Sequence, residues 1–297
     1  QKTIDRVVQY CKMLGKVVIV CGDRPGFVVN RFFVPWLNEA CLLLEEGHGT
    51  AAQIDAIACK AFRIGLGPFG LMNLTGPPIA LHSTDYLAEQ LATPRYKGAA
   101  NLRELVGDNR MWDIEEEDSY TEEQFSLISR RLYGVVFGVA AQIVEEGVCS
   151  IEDVDRGAKV GLRWARGPFE LMNKVGVKNS FDMATEYYKL CQDSAGNSSW
   201  QLPDFFAKQA DNDSPWDFSY VDTKITDGIA TITINRPEAM NALNETVIEQ
   251  LGIAVEQVNS NQAVHTMVLD GAGKAFIAGA DVKFFVDKIR SDSIDDI

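Results

Sequence analysis

The sequence predicts a mainly α-helical protein whose C-terminal stretch changes to α/β. Three observations lead there. Between positions 2 and 190 apolar residues recur at three- and four-residue spacing in long runs, the period of helices with one buried face. One phrase is written twice, GPFGLMNLTG at 67–76 and GPFELMNKVG at 167–176. Past residue 220 the apolar pattern alternates with polar residues, the period of strands.

With 297 residues, 46% of them hydrophobic and 24% charged, the chain is long enough for more than one core. A net charge of −14 without a Lys/Arg cluster argues against nucleic acid or an anionic membrane as partner. The longest apolar run, 132–144, falls short of the about 20 residues a bilayer span needs and reads as a buried helix. No secretion signal is legible. The six cysteines show neither CxxC nor Cys/His ligand spacing, which predicts reduced thiols in a cytoplasmic protein with no metal site. The start in mid-pattern without Met, and the stop at SDSIDDI, read as ends cut from a longer chain.

Along the chain, residues 2–14 have helical spacing and KVVIV at 16–20 has the look of a buried strand, so 1–22 reads as the closing unit of an α/β sheet. Asp23, Pro25 and Gly26 form a turn. A long helix follows over 27–46, with Gly47 as its stop and Pro35 expected to kink or interrupt it. Thr50 is placed as an N-cap, and the first GPF phrase turns into a short helix. After a polar stretch the pattern restarts at Thr121, with Gln124 completing a capping box, and again at Ser150. Residues 45–76 align with 145–176 without a gap and with 13 of 32 positions identical, Asp55/Asp155 and Arg63/Arg163 among them. That is an internal duplication. It divides the chain into helical domains at 23–115 and 116–200, a linker at 201–219 rich in polar and breaker residues, and an α/β part at 220–297. In the repeated phrase Gly67 and Gly167 are expected to supply positive φ, and Pro68 and Pro168 to open a helix. Phe69, Leu71 and Met72 and their counterparts supply apolar faces, so the phrase reads as a packing corner without a titratable group. Asp227-Gly228 between alternating runs predicts a hairpin.

The stretch DRPGFVVNRFFVPWLNEACLLLEEG at 23–47, followed by Ile54, Asp55, Gly67, Pro68 and Phe69, resembles the C-terminal domain of the 3-hydroxyacyl-CoA dehydrogenase family. The second block resembles the same domain again, as in multifunctional β-oxidation enzymes that carry two copies. ITINRPEAMNALN and GAGKAFIAGADVK, at 232–244 and 271–283, resemble the opening signatures of the enoyl-CoA hydratase/isomerase (crotonase) family. The resemblance implies a duplicated helical domain of the 6-phosphogluconate-dehydrogenase C-terminal-like type, preceded by the tail of an NAD-binding Rossmann domain and followed by a truncated crotonase-like domain. It implies a bifunctional enzyme that interconverts enoyl-CoA, (S)-3-hydroxyacyl-CoA and 3-ketoacyl-CoA, with NAD as cofactor and a coenzyme A thioester as substrate.

In the dehydrogenase family a His takes the hydroxyl proton and a Glu orients it. The chain's histidines, His48, His82 and His265, do not match that context, and the family's dinucleotide loop is not matched either. Asn30 is the site residue that carries over, and its aligned position in the second copy is Arg130. By the same resemblance Pro68 and Leu71 would line the acyl pocket. Ala280 would offer an oxyanion N–H, with the small Ala278 beside it. Residues 278–282, including Asp281 and Val282, would flank the adenine of CoA, and Lys283 would meet its phosphates. The resemblance further implies an internal pseudo-dimer of the two helical copies, and the chain by itself is expected to be inactive. The competing expectation is a non-catalytic helical dimerisation or interaction module.

Overall fold

The computed structural model describes residues 2–115, 118–192 and 201–282. The chain divides into two compact units, one formed by Cys21–Trp216 and the other by the residues up to Val20 together with those from Asp217 onward.

The helical unit begins with α2 (Val29–Glu45), α3 (Ala51–Phe62), α4 (Pro68–Thr75), α5 (Pro77–Gln90) and α6 (Ala100–Gly107). The set then repeats as α7 (Glu122–Glu145), α8 (Ile151–Gly161), α9 (Pro168–Val175) and α10 (Val177–Leu190), and α11 (Asp204–Asp211) follows. Local signals set the boundaries. Thr50 and Thr121 each close a capping box with the glutamine three residues on, and Ser150 accepts from the Asp153 amide. Gly47 stops α2 at φ 75°. Pro35 does not interrupt α2, which runs through it with the ring buried. Its missing N–H costs one bond, which the packing around Phe32 and Trp36, both fully buried, offsets.

The two copies meet along α2 and α7. Arg31 on α2 pairs with Glu146 at the end of α7, while Arg131 on α7 pairs with Glu46 at the end of α2. Each pair is the other shifted by 100 positions, the reciprocal pattern of a self-complementary contact. Between them lies Glu39, 1% exposed, which accepts from Arg131 Nε at 2.8 Å and from Arg95 Nη2 at 2.6 Å and Nε at 3.1 Å. The position aligned with Glu39 is Val139. Arg31 therefore has one carboxylate where Arg131 has two, and its buried Nη1 has no partner among the described residues. Aromatic packing is shared as well. Trp164 from the second copy lies against Phe32, Trp36 and Phe62 of the first at 4.8–5.7 Å.

The phrase written twice folds the same way twice, for a reason the sequence reading missed. Asp55 reaches from α3 to the first turn of α4 and accepts from the Phe69 and Gly70 amides at 2.7 and 2.8 Å. Asp155 does the same for Phe169 and Glu170 at 2.8 and 2.9 Å. The corner therefore does hold a titratable group, a carboxylate on a helix N-terminus. Its glycines are needed for space and not for positive φ. Gly67 and Gly167 both sit at φ −76°, which any residue adopts. A Cβ there would stand 2.4 Å from Asp55 Cγ or 2.2 Å from Asp155 Cγ.

A second clamp extends the repeat beyond residue 200. Asn73 holds the backbone of Trp112 through both amide atoms at 2.9 Å, and Asn173 holds Trp216 at 2.9 and 2.7 Å. Each tryptophan packs on the phenylalanine of its corner, Phe69–Trp112 at 4.8 Å and Phe169–Trp216 at 5.2 Å. The stretch expected as a linker at 201–219 thus contains a helix, α11, with Phe206 buried, and runs to a buried Trp216 that completes the second copy. Composition hid this because the two aromatic anchors are spaced by polar loop residues.

α7 is 24 residues long and apolar enough to cross a membrane by length, and its apolar window is 72% buried inside the protein. It is the core helix that α2 and α10 pack against.

In the other unit, α1 (Lys2–Met13) buries no residue. KVVIV forms no strand among the described residues, and Val20 is exposed. A strand needs a neighbour for its backbone groups, and none pairs with this one. From residue 221 a sheet forms in the order β1 (Val221–Thr226), β2 (Ile229–Ile234) and β3 (Thr266–Gly271). β1 and β2 are antiparallel through a two-residue turn with Asp227 and Gly228 both at positive φ, as the pattern predicted. β3 runs parallel to β2 after α12 (Glu245–Asn259) crosses over, burying Ala254 and Val258 on Ala230 and Ile232.

Removing the Glu39 carboxylate would take the buried partner from two largely buried guanidiniums and leave them only the more exposed Glu46. Glu39→Ala is expected to cost about 3–5 kcal/mol in denaturant unfolding, and a loss under 1 kcal/mol would refute the network's importance. Gly67→Ala is expected to cost about 1–3 kcal/mol through the Asp55 clash, although its φ suits alanine. An unchanged midpoint would show that the corner has slack.

Candidate functional site

Asn30 reaches its place through a strained turn. The Phe27 amide donates to the Arg24 carbonyl at 2.9 Å, closing Arg24–Phe27 into a tight loop. Gly26 (φ 77°) and Phe27 (φ 48°) both occupy the left-handed region. A Cβ on Gly26 would meet the Arg31 backbone at 3.0 Å and Leu87 at 3.1 Å, so only glycine lets the loop lie on α2 and α5. Phe27 is a bulky side chain held where such residues cost about 1–3 kcal/mol, and it is exposed. Strain of that size in a surface aromatic accompanies a site more often than a scaffold.

The loop, the start of α2 and one face of α5 enclose a cleft of about 440 Å³. Asn30 and Val34 face it from α2, and His82, Ser83, Tyr86 and Leu87 from α5. His82, set aside in the sequence as an ordinary histidine, is thus in the same cleft as Asn30. No spacing signal joins two residues 52 positions apart; only the packing of α5 on α2 does. Among the described residues no carboxylate is hydrogen-bonded to His82, so the base–orienter pair of an alcohol dehydrogenase is not formed here. His48 lies 3.2 Å from Glu46, and the His265 ring is 3.0 Å from the Thr266 hydroxyl; neither reaches the cleft.

The second copy has different side chains at the aligned positions. Arg130 stands for Asn30, Asp182 for His82 and Glu186 for Tyr86. Arg130 grips Glu186 through Nη2 at 2.7 Å and Nε at 3.2 Å and touches Asn179 Oδ1 at 3.3 Å. A bidentate ion pair occupies the place of the open cleft.

Pro68 and Leu71 do not line the Asn30 cleft. Pro68 is buried and Leu71 half-buried, because the Asp55 bonds draw the first turn of α4 onto α3.

The same corner contains a literal dinucleotide pattern, Gly65-x-Gly67-x-x-Gly70. It follows a helix, where the nucleotide motif follows a strand. The amides it would offer to a pyrophosphate, those of Phe69 and Gly70, are already taken by Asp55. The residues present therefore do not fit NAD.

In the strand-containing unit the AGAD stretch is held by main-chain bonds. The Leu243 amide donates to Gly279 O at 2.9 Å and the Asp281 amide donates to Leu243 O at 2.8 Å. Ala280 lies between them in a parallel bridge, is exposed, and its own N–H makes no hydrogen bond among the described residues. Gly279 (φ 119°) next to it has open space around a virtual Cβ, and Ala278 is exposed. Asp281 is engaged within the protein. Its carboxylate pairs with Arg236 Nη1 at 2.8 Å, both side chains nearly buried, and so braces the loop. Val282 is 72% exposed, and Lys283 lies outside the described residues. Asn241, fully buried at φ 56°, ties Arg236 N to the carbonyls of Ala272 and Ala275 at 2.7–2.9 Å. The sequence reading did not single out Asn241 or Arg236, though both lie in the quoted NRPEAMNALN.

Comparison with known proteins agrees with the two units. The family model "3-hydroxyacyl-CoA dehydrogenase, C-terminal domain" matches residues 26–122 and again 127–211, and that of "Enoyl-CoA hydratase/isomerase" matches 224–294. The human mitochondrial hydroxyacyl-coenzyme A dehydrogenase is 35% identical over 111 residues, covering 37% of this chain and 35% of that protein. The fatty acid oxidation complex subunit alpha of Shewanella loihica is 27% identical over 214 residues, covering 63% of this chain and 30% of that protein. The chain thus spans about a third of the length of these curated relatives. A 3-hydroxybutyryl-CoA dehydrogenase structure from Escherichia coli K12 shares the fold, with a TM-score of 0.58 at 15% identity over 70% of this chain and 65% of that one.

Burial pushes the Asp55 carboxyl up to about 6 from its ordinary 3.8, against the pull of its two backbone donors. The folded state therefore takes up this proton before the unfolded chain does. The stability this group contributes is complete below about pH 4 and is lost as pH rises through about 6. A carboxyl-carbon NMR titration is expected to show its midpoint near 6; a midpoint under 4 would mean that the helix N-terminus outweighs burial.

Proposed function

Because the chain belongs to the 3-hydroxyacyl-CoA dehydrogenase C-terminal domain family through both of its helical copies, we propose that it is the middle portion of a bifunctional β-oxidation enzyme acting on coenzyme A thioesters. The observation that carries this is the division of labour between the copies. The first keeps Asn30 in an open cleft, and the second fills the aligned place with the Arg130–Glu186 pair.

In this reading the Asn30 amide holds the oxygen at C3 of a 3-hydroxyacyl or 3-ketoacyl thioester. Asn30 is exposed and lines the cleft, and its amide has both a donor and an acceptor, which suits an oxygen that alternates between hydroxyl and carbonyl. NAD supplies the hydride chemistry of the family. The one GxGxxG stretch, at 65–70, does not fit it, because Asp55 takes the amides a pyrophosphate would need. In the hydratase half, the free Ala280 N–H donates to the thioester oxygen as negative charge develops there, with Gly279 and Ala278 small enough for a close approach. Val282 lends apolar surface to the adenine side and Lys283 a positive charge to the phosphates. The reciprocal Arg31–Glu146 and Arg131–Glu46 pairs support an internal pseudo-dimer, in which the second copy serves as the first one's partner subunit. Six free cysteines fit a cytoplasmic setting.

The competing reading, a purely structural helical module, gives no reason for an open cleft beside a strained Phe27. Two measurements separate them. The chain with acetoacetyl-CoA and NADH is expected to oxidise no NADH; oxidation would show a complete site within it. Titrating acetoacetyl-CoA is expected to shift the Asn30 side-chain amide resonances. Asn30→Ala is expected to weaken that binding about tenfold, the loss of one net hydrogen bond. Absence of any shift at Asn30 would refute the thioester site.

A further inference from the structure

The cleft beside Asn30 holds more hydrogen-bond donors than a plain alkyl chain can use. Among the described residues the His82 imidazole and the Ser83 and Tyr86 hydroxyls make no hydrogen bond, although all three face the cleft from α5. Arg24 enters it from the strained loop. Its guanidinium donates through Nη1 to a single backbone carbonyl, that of Asp23, and pairs with no carboxylate. Arg31, Arg95, Arg103, Arg130 and Arg131 are each ion-paired, whereas Arg63, Arg163 and Arg166, like Arg24, have no carboxylate partner among the described residues. What distinguishes Arg24 is that it borders the cleft together with His82, Ser83 and Tyr86. The second copy supplies the comparison. At the positions of His82 and Tyr86 it has Asp182 and Glu186, and Arg130 neutralises the latter within the protein. Among the described residues, the His82, Ser83 and Tyr86 side-chain donors of the Asn30 cleft are left without partners in the protein.

We propose that the Arg24–His82–Tyr86 side of the cleft binds an anionic oxygen group of the acyl-CoA, and specifically a carboxylate at the far end of the acyl chain. This rests on the reading of the Asn30 cleft as a thioester site. A guanidinium and a phenol hydroxyl converge on two carboxylate oxygens as donors, with the imidazole as a third. Asp23, which also borders the cleft, is exposed at its mouth, where water screens its charge. The apolar Val34 and Leu87 then line the path of the methylenes between the C3 oxygen at Asn30 and the terminal carboxylate. Such a substrate comes from a reaction that leaves a second carboxylate on the acyl chain, as oxidation of a chain's far end or opening of a ring does.

The test uses the 297-residue chain and three ligands, followed by NMR shifts of the cleft amides. These are butyryl-pantetheine, glutaryl-pantetheine with its ω-carboxylate, and butyryl-CoA with its phosphates. Glutaryl-pantetheine is expected to bind at least ~tenfold more tightly than butyryl-pantetheine, and Arg24→Gln and His82→Gln each to reduce that ratio to below about threefold. Both positions are exposed, and unchanged spectra outside the cleft confirm that the variants fold. Equal affinity for the two pantetheine thioesters overturns the carboxylate proposal while leaving the thioester site standing. A gain seen only with butyryl-CoA, and removed by Arg24→Gln, assigns the donors to a CoA phosphate and also overturns it. If no thioester perturbs the cleft, the reading of the Asn30 site fails and the proposal falls with it.

Discussion

A carboxylate that water barely reaches fixes how the helical unit is assembled. Glu39 on α2 must satisfy its charge inside the protein, and it does so with Arg131 from the second copy and Arg95 from the loop after α5. Burying such a group without both partners would cost several kcal/mol, which leaves α2 only one register against α7. In that register Arg31 meets Glu146 and Arg131 meets Glu46. The same constraint places the first turn of α2, and so Asn30, opposite the face of α5 that bears His82 and Tyr86. The cleft is a consequence of packing that is decided about nine residues further along the helix.

The two copies show what duplication preserves and what it releases. The parts that hold the fold are kept to the atom: the Asp on the helix N-terminus, the glycine that makes room for it, and the Asn that clamps a tryptophan. The parts that face solvent in the cleft have diverged in charge. Where the first copy presents an amide, an imidazole and a phenol, the second has an arginine and two acids, with one acid and the arginine locked together. A surface ion pair of this kind contributes little stability. In the proposed reading the second copy serves as scaffold for the first.

The AGAD loop of the other unit follows a related logic. In the proposed function the atom that acts is a backbone N–H, and the side chains around it hold the loop that carries it. Asp281 and Arg236 brace the loop, Asn241 pins the turn behind it, and the bridge to Leu243 uses the amides on either side of Ala280 while leaving that one free. A donor held in place before its acceptor arrives costs no reorganisation when charge develops.

The sequence by itself determined the helical class, the caps at Thr50, Thr121 and Ser150, the hairpin at Asp227-Gly228 and the duplication. All of these rest on contacts between residues at most a few positions apart, or on repetition of the text itself. Asn30 and Ala280 could be singled out as candidates because they sit within contiguous phrases, and their roles remain part of the proposal. Tertiary structure alone decided the rest. Gly67 is small because a carboxylate from a preceding helix needs its space, and Trp216 belongs to the second helical copy because Asn173, 43 positions earlier, holds its backbone. His82 joins Asn30 only when α5 lies on α2, and among the described residues KVVIV pairs with no strand. Each depends on a neighbour distant in the chain, and neither periodicity nor spacing records who that neighbour is.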